Sequence, residues 1–184
     1  MAKFTDLSGH FLVASPALLD ANFARSVILV VQHDEQGALG LVITRPLELA
    51  VADVLEKALE RPFDIEDSLY LGGPCEGPLM ALHDYAAASD INPTQGVHFA
   101  SKRETLERLL EERPDALSRF FAGYSGWTSG QLEKELAAGS WYVVKATAGQ
   151  IFGDCEGLWQ DLSRRAVLEK YVPAPLIPDQ PGMN

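Results

Sequence analysis

Arg25-Ser26-Val27-Ile28-Leu29-Val30-Val31-Gln32, then His33-Asp34-Glu35-Gln36-Gly37, then Ala38-Leu39-Gly40-Leu41-Val42-Ile43-Thr44 is the stretch on which the fold turns. Two dense aliphatic, β-branched runs flank a polar loop ending on a glycine that can take positive φ, the pattern of a β-hairpin. Neither run alternates polar with apolar residues. Both faces of each strand must therefore be covered, and the hairpin is expected inside a central sheet.

Upstream of the hairpin, residues 11–14 form a short apolar strand stopped by Ser15-Pro16. Downstream, Arg45-Pro46 ends the second strand, and Leu47, Val51, Val54, Leu55, Ala58 and Leu59 recur at helical spacing, so an amphipathic helix is expected over 47–59. Short strands are expected at 68–71, 79–83 and 97–100, with tight turns at Gly72-Gly73-Pro74 and Gly77-Pro78. Ser101-Lys102-Arg103-Glu104 reads as a capping box ahead of a helix with Leu106, Leu109 and Leu110 on its buried stripe. A strand over 117–124 then runs into a corner at Trp127, a second capping box at Thr128-Ser129-Gly130-Gln131 and a helix stopped by Gly139. Residues 141–146 return as a strand, and Leu158, Trp159, Leu162 and Ala166 mark a last helix behind an Asp154 cap.

Strands and helices intermix without strict βαβ alternation, which favours an α+β fold with a mixed, mainly antiparallel sheet and flanking helices. The 184 residues, 47% hydrophobic and 22% charged, suit one globular domain, expected over 1–170. Pro173, Pro175, Pro178 and Pro181 make 171–184 a Pro-rich tail, frayed or draped on the surface.

Charge narrows the function classes. The 26 acidic residues against 15 Lys and Arg leave a net charge of −11, which disfavours direct nucleic-acid binding because phosphate contacts need clustered cations. The basic spots Lys102-Arg103 and Arg164-Arg165 read as solvated helix faces. Cys75 and Cys155 form no CxxC pair, and no apolar run approaches the twenty or so residues of a membrane span, so the expectation is a cytoplasmic protein without membrane contact.

Chemistry is sparse. The Gly72 to Gly77 stretch lacks the lysine and hydroxyl of a phosphate loop and leads into a strand, so it reads as turns. Cys75 and His83 could form a thiol and base pair if the intervening turn folds one onto the other. Ser125 has glycine two before it but only one after it, which breaks the nucleophile-elbow pattern. His10, His33, His83 and His98 are isolated in sequence, no metal or cofactor is indicated, and Glu133 and Glu135 read as solvated carboxylates on different sides of a helix. Phe120 to Glu135 gathers glycines, amphipathic rings and a helix start, so it is either a binding corner or a packing corner.

Pro16, Leu18, Asp20, Phe23 and Ser26-Val27, His33 with Gly37, Gly40-Leu41, Arg45-Pro46, Tyr70 with Gly72-Gly73-Pro74, and Leu82-His83 together resemble the bacterial YqgE/AlgH family. Gly123-Tyr124-Ser125-Gly126-Trp127 with Gly130-Gln131-Leu132-Glu133, Glu135 and Trp141 is similar to that family's most characteristic stretch. The resemblance implies an α+β domain whose bifurcated sheet forms a pseudo-barrel. It implies no agreed catalytic residue; the transcriptional-regulator label of some members rests on genetic association with alginate production. Thr44 and Cys75 depart from the asparagine and valine common in the family, and the second departure weakens a general thiol mechanism.

The leading expectation is a noncatalytic regulatory or binding protein with a protein or small-molecule partner. Its candidate surface is Arg45, His83, Tyr124, Trp127 and Gln131, taken to face one opening. The alternative is a small-molecule hydrolase or thiol redox enzyme using Cys75 and His83.

Overall fold

A computed structural model describes residues 5–171. In chain order the elements are β1 (His10–Ala14), β2 (Val27–Asp34), β3 (Gly37–Val42), β4 (Pro46–Ala50), α1 (Val51–Leu59), β5 (Ser68–Leu71), β6 (Met80–His83), β7 (Ile91–Thr94), β8 (Val97–Ala100), α2 (Arg103–Glu112), β9 (Ser118–Ala122), β10 (Ser125–Thr128), α3 (Gln131–Ala137), β11 (Trp141–Lys145), α4 (Ala148–Phe152) and α5 (Leu158–Tyr171). The fold is α+β and its strands are mainly antiparallel, as the intermixed pattern required.

The strands form two open sheets, ordered β10-β3-β2-β1-β11 and β4-β5-β9-β6-β8-β7. Among the described residues neither sheet closes on itself, so the pseudo-barrel is a pair of facing sheets. The pairing of β5 with β9 is parallel and every other pairing is antiparallel.

The hairpin of β2 and β3 sits at the middle of the five-stranded sheet, and its unbroken apolar runs are explained by the layers on either side. Val27, Leu29 and Val31 point into the core between the sheets with Phe11, Leu82 and Phe121. Ile28 and Val30 point the other way, into a core capped by Trp127, Leu132 and Trp141. All five hairpin residues are fully buried, each adding roughly 1.5–3 kcal/mol of apolar burial. A third core lies between the outer face of the six-stranded sheet and helices α1 and α2, where Leu55, Leu106, Leu109 and Phe120 meet.

Several boundaries differ from the sequence reading. Residues 46–50 are an edge strand, because Arg45-Pro46 holds the backbone extended and Pro46 and Ala50 pair with Tyr70 and Ser68; the helix begins only at Val51. The Ser101 capping box does not form. Asp90, far back in the chain, instead anchors the entry to α2, accepting from the Ser101 and Lys102 amides at 2.8 and 3.0 Å and from the Thr105 hydroxyl at 2.8 Å. At α3 the Gln131 side chain accepts from the Thr128 amide, but no side chain caps the helix in return. The reciprocal box that does form is Thr147 with Gln150 at α4, a helix the sequence reading omits. Asp154 makes a local turn with the Glu156 amide and does not cap α5. The tail expected over 171–184 falls, past Tyr171, outside the described residues.

Candidate functional site

Strands β5 and β9 run out side by side, Leu71 in register with Ala122, and each passes directly into glycine: Gly72-Gly73 after one, Gly123 after the other. The two segments then cross at backbone contact. Cys75 and Tyr124 exchange both main-chain hydrogen bonds, at 2.9 and 3.0 Å, and the buried Ser125 hydroxyl donates to the Gly72 carbonyl at 3.1 Å. Gly73 has φ of 154°, and a Cβ there would lie 2.3 Å from the Tyr124 carbonyl carbon and oxygen. These glycines therefore serve close backbone approach, and Ser125 serves the crossing and not a nucleophile elbow.

Beside the crossing opens a cleft of about 510 Å³ lined by Asn22, Arg45, Leu71, Cys75, Glu76 and Ala122 among others, with Gly73, Gly77 and Gly123 in its wall. Its size is ordinary for a small-molecule site. Its position outside the carboxyl ends of the parallel pair parallels, by analogy, where ligands bind open α/β sheets. Arg45 is half-buried and its guanidinium donates to the Ala24 carbonyl at 3.3 Å; among the described residues no carboxylate pairs with it.

The five candidates do not share one opening. Arg45 lines the cleft, while Tyr124 packs beside it, its ring over Gly77 and Gly126. Trp127 is buried in the outer core with Phe23 and Trp141. Its indole N–H donates to Glu135 at 2.9 Å, Trp141 donates to the same oxygen at 2.8 Å, and the Gln131 amide donates to the other oxygen at 3.0 Å. Glu135 is thus a clamp for two indoles and not a solvated carboxylate. Glu133 is engaged too: the buried His33 accepts from the Leu7 amide through Nδ1, so Nε2 carries the proton and donates to Glu133 at 3.0 Å. Glu135→Gln places an amide N–H against Gln131 and removes the charge, and is expected to lower unfolding free energy by about 1–2 kcal/mol. Urea titration followed by tryptophan fluorescence measures it, and an unchanged midpoint would contradict the clamp.

His83 is fully buried, so it belongs to no surface. Its Nδ1 accepts from the Tyr85 amide at 3.2 Å, its Nε2 has no hydrogen-bond partner among the described residues, and its ring stacks on His98 at 5.9 Å. Burial first, then the neighbouring His98, pushes its pKa down to about 4. The thiol and base pair is not formed. His83 lies opposite Ser118 and Cys75 opposite Tyr124, six positions further on, roughly 15–20 Å along extended chain. No group of three or more metal-ligating side chains occurs among the described residues.

The AlgH-like family, DUF179, matches residues 11–170. The chain belongs to that family. A UPF0301 protein of Streptomyces avermitilis is 38% identical, the alignment covering 100% of this chain and 98% of that one. A UPF0301 protein of Chlorobium limicola is 37% identical over 96% of this chain and 95% of that one. In structure the chain is similar to the AlgH protein from Pseudomonas aeruginosa, with TM-score 0.72, 31% identity and coverage of 100% and 99%. It is also similar to a Corynebacterium diphtheriae protein, with TM-score 0.72, 26% identity and coverage of 96% and 92%.

In this AlgH-like chain, residues 123–135 divide between two tasks. Gly123 lines the cleft with Tyr124 and Ser125 in the crossing beside it, and Trp127, Gln131 and Glu135 hold α3 to the five-stranded sheet. Sequence reasoning missed Asn22, Glu76 and Ala122 as cleft residues; glycines flank Glu76 and Ala122, but no glycine lies near Asn22. It also missed Arg119, 6% exposed within β9, which donates to the Ile43 and Gly153 carbonyls and lies 4.5 Å from the Tyr70 ring. Nothing in an aromatic strand sequence marks such an arginine as internal. Among the described residues, no helix is long and apolar enough to cross a membrane.

Proposed function

We propose that this AlgH-like protein is a noncatalytic cytoplasmic binding or regulatory protein that takes its partner at the Arg45 cleft. One observation carries the reading: an arginine without a carboxylate partner among the described residues lines a cleft of about 510 Å³ walled by glycine backbone. A guanidinium without a carboxylate partner is a ready donor to a carboxylate or similar group, and charge-assisted bonds of that kind run about twice as strong as neutral ones. The enzymatic alternative has lost its base, since His83 is sealed in the core away from Cys75. Two free cysteines suit a reducing compartment, and a net charge of −11 stands against direct duplex binding.

A fragment screen on isotope-labelled protein tests this. Binders are expected to shift the amides of Gly73, Gly77 and Gly123 while leaving Gly139 still, and Arg45→Ala is expected to weaken them at least tenfold, about 1.4 kcal/mol. A screen in which no compound moves the cleft amides would overturn the reading.

A further inference from the structure

The cleft carries opposite charges that ignore each other. Arg45 and Glu76 both line it, yet no ion pair joins them, and neither has an ion-pair partner among the described residues. Elsewhere on this surface Arg103, Arg113 and Arg165 each take a nearby carboxylate. In the same cleft stand the apolar side chains of Leu71, 37% exposed, Pro74 and Ala122. A ligand that complements this lining needs one negative group, one positive group and an apolar body.

Net charge points the same way. A chain at −11 repels anions at long range, and Glu76 would repel a second negative group at close range. A monoanion would satisfy Arg45 and leave Glu76 unanswered; an amine would do the reverse. A zwitterion of zero net charge meets no long-range barrier and answers both.

We propose that the cleft takes a zwitterion with an apolar side chain, an α-amino acid or a dipeptide, its carboxylate on Arg45 and its ammonium on Glu76. This rests on the cleft being the binding site. The apolar wall accepts the side chain, and the Asn22 amide is available to either polar end.

The test is calorimetric and NMR titration of the full chain with L-leucine, the dipeptide Leu-Leu, 4-methylpentanoate and 3-methylbutylamine. L-leucine or Leu-Leu should saturate the site and shift the Gly73 and Gly123 amides, whichever binds more tightly identifying free amino acid or peptide as the source. Each one-charge analogue should bind at least tenfold more weakly. Glu76→Gln, at an exposed position that leaves folding intact, should cost the zwitterion tenfold while leaving 4-methylpentanoate unweakened. If 4-methylpentanoate binds wild-type protein as tightly as L-leucine, the zwitterion proposal falls and the binding cleft survives. If none of the four probes moves those amides, the proposal also falls, and the fragment screen separately decides the cleft.

Discussion

Gly73→Ala is expected to remove about 2–6 kcal/mol of unfolding free energy, the strained backbone and the forced overlap each contributing roughly 1–3 kcal/mol. The new methyl carbon would stand 2.3 Å from the carbonyl carbon and oxygen of Tyr124 and 2.4 Å from the Ser125 hydroxyl. All of these atoms are pinned. Tyr124 is held by two main-chain bonds to Cys75, and Ser125 by its bond to Gly72, so the obstacle is backbone that cannot rotate aside. The φ of 154° at this position adds strain for any residue with a side chain. Gly139→Ala supplies the control: φ is 76° there, but nothing lies within 4 Å of the added carbon, so only about 1 kcal/mol is expected. Urea unfolding of both variants measures the difference. Equal losses would mean that the crossing is looser than its geometry states.

Acid is expected to weaken the protein through His83. Its folded pKa is about 4 against an ordinary 6.5. Below 6.5 the unfolded chain protonates this residue and the folded chain does not, so the unfolded state binds the extra proton and gains in stability. The loss therefore grows as pH falls from 6.5 to 4 and stops growing below that, reaching about 3 kcal/mol. The physical cause is visible in the side chain's surroundings. Nδ1 is already occupied by the Tyr85 N–H, so a second proton would set donor against donor, and the ring has no access to water. His98 opposes the charge further, while the Ala88 carbonyl, Asp84 and Asp90 favour it and fail to win. His83→Asn keeps an acceptor for the Tyr85 amide and removes the titration. Its stability between pH 7 and 4.5 should fall less steeply than that of the wild type, by up to about 1.4 kcal/mol per pH unit. Parallel curves for the two proteins would show that His83 titrates normally.

The candidate site was legible only in part. Arg45 stood out because Arg-Pro closes a strand, and that arginine does line the cleft. Trp127 and Gln131 stood out for the same kind of reason, a polar and aromatic cluster at a turn, but Glu135 collects their N–H groups and turns the cluster inward. His83 could not be placed from its neighbours. Its strand is so short that a buried and a surface histidine have the same local pattern. Ser101 looked like a local cap, yet Asp90 binds the Ser101 and Lys102 amides through the tertiary fold.

What the chain's order of residues determined alone was the central hairpin, the α+β class, the buried stripe of α2 and the presence of a last helix, because hydrophobic periodicity reports which faces must leave water, whatever covers them. The tertiary structure decided where carboxylates find donors, which glycines meet backbone, and that Arg45 and Glu76 share one cleft. Those outcomes depend on distances between segments far apart in the chain, and no local pattern encodes such a distance.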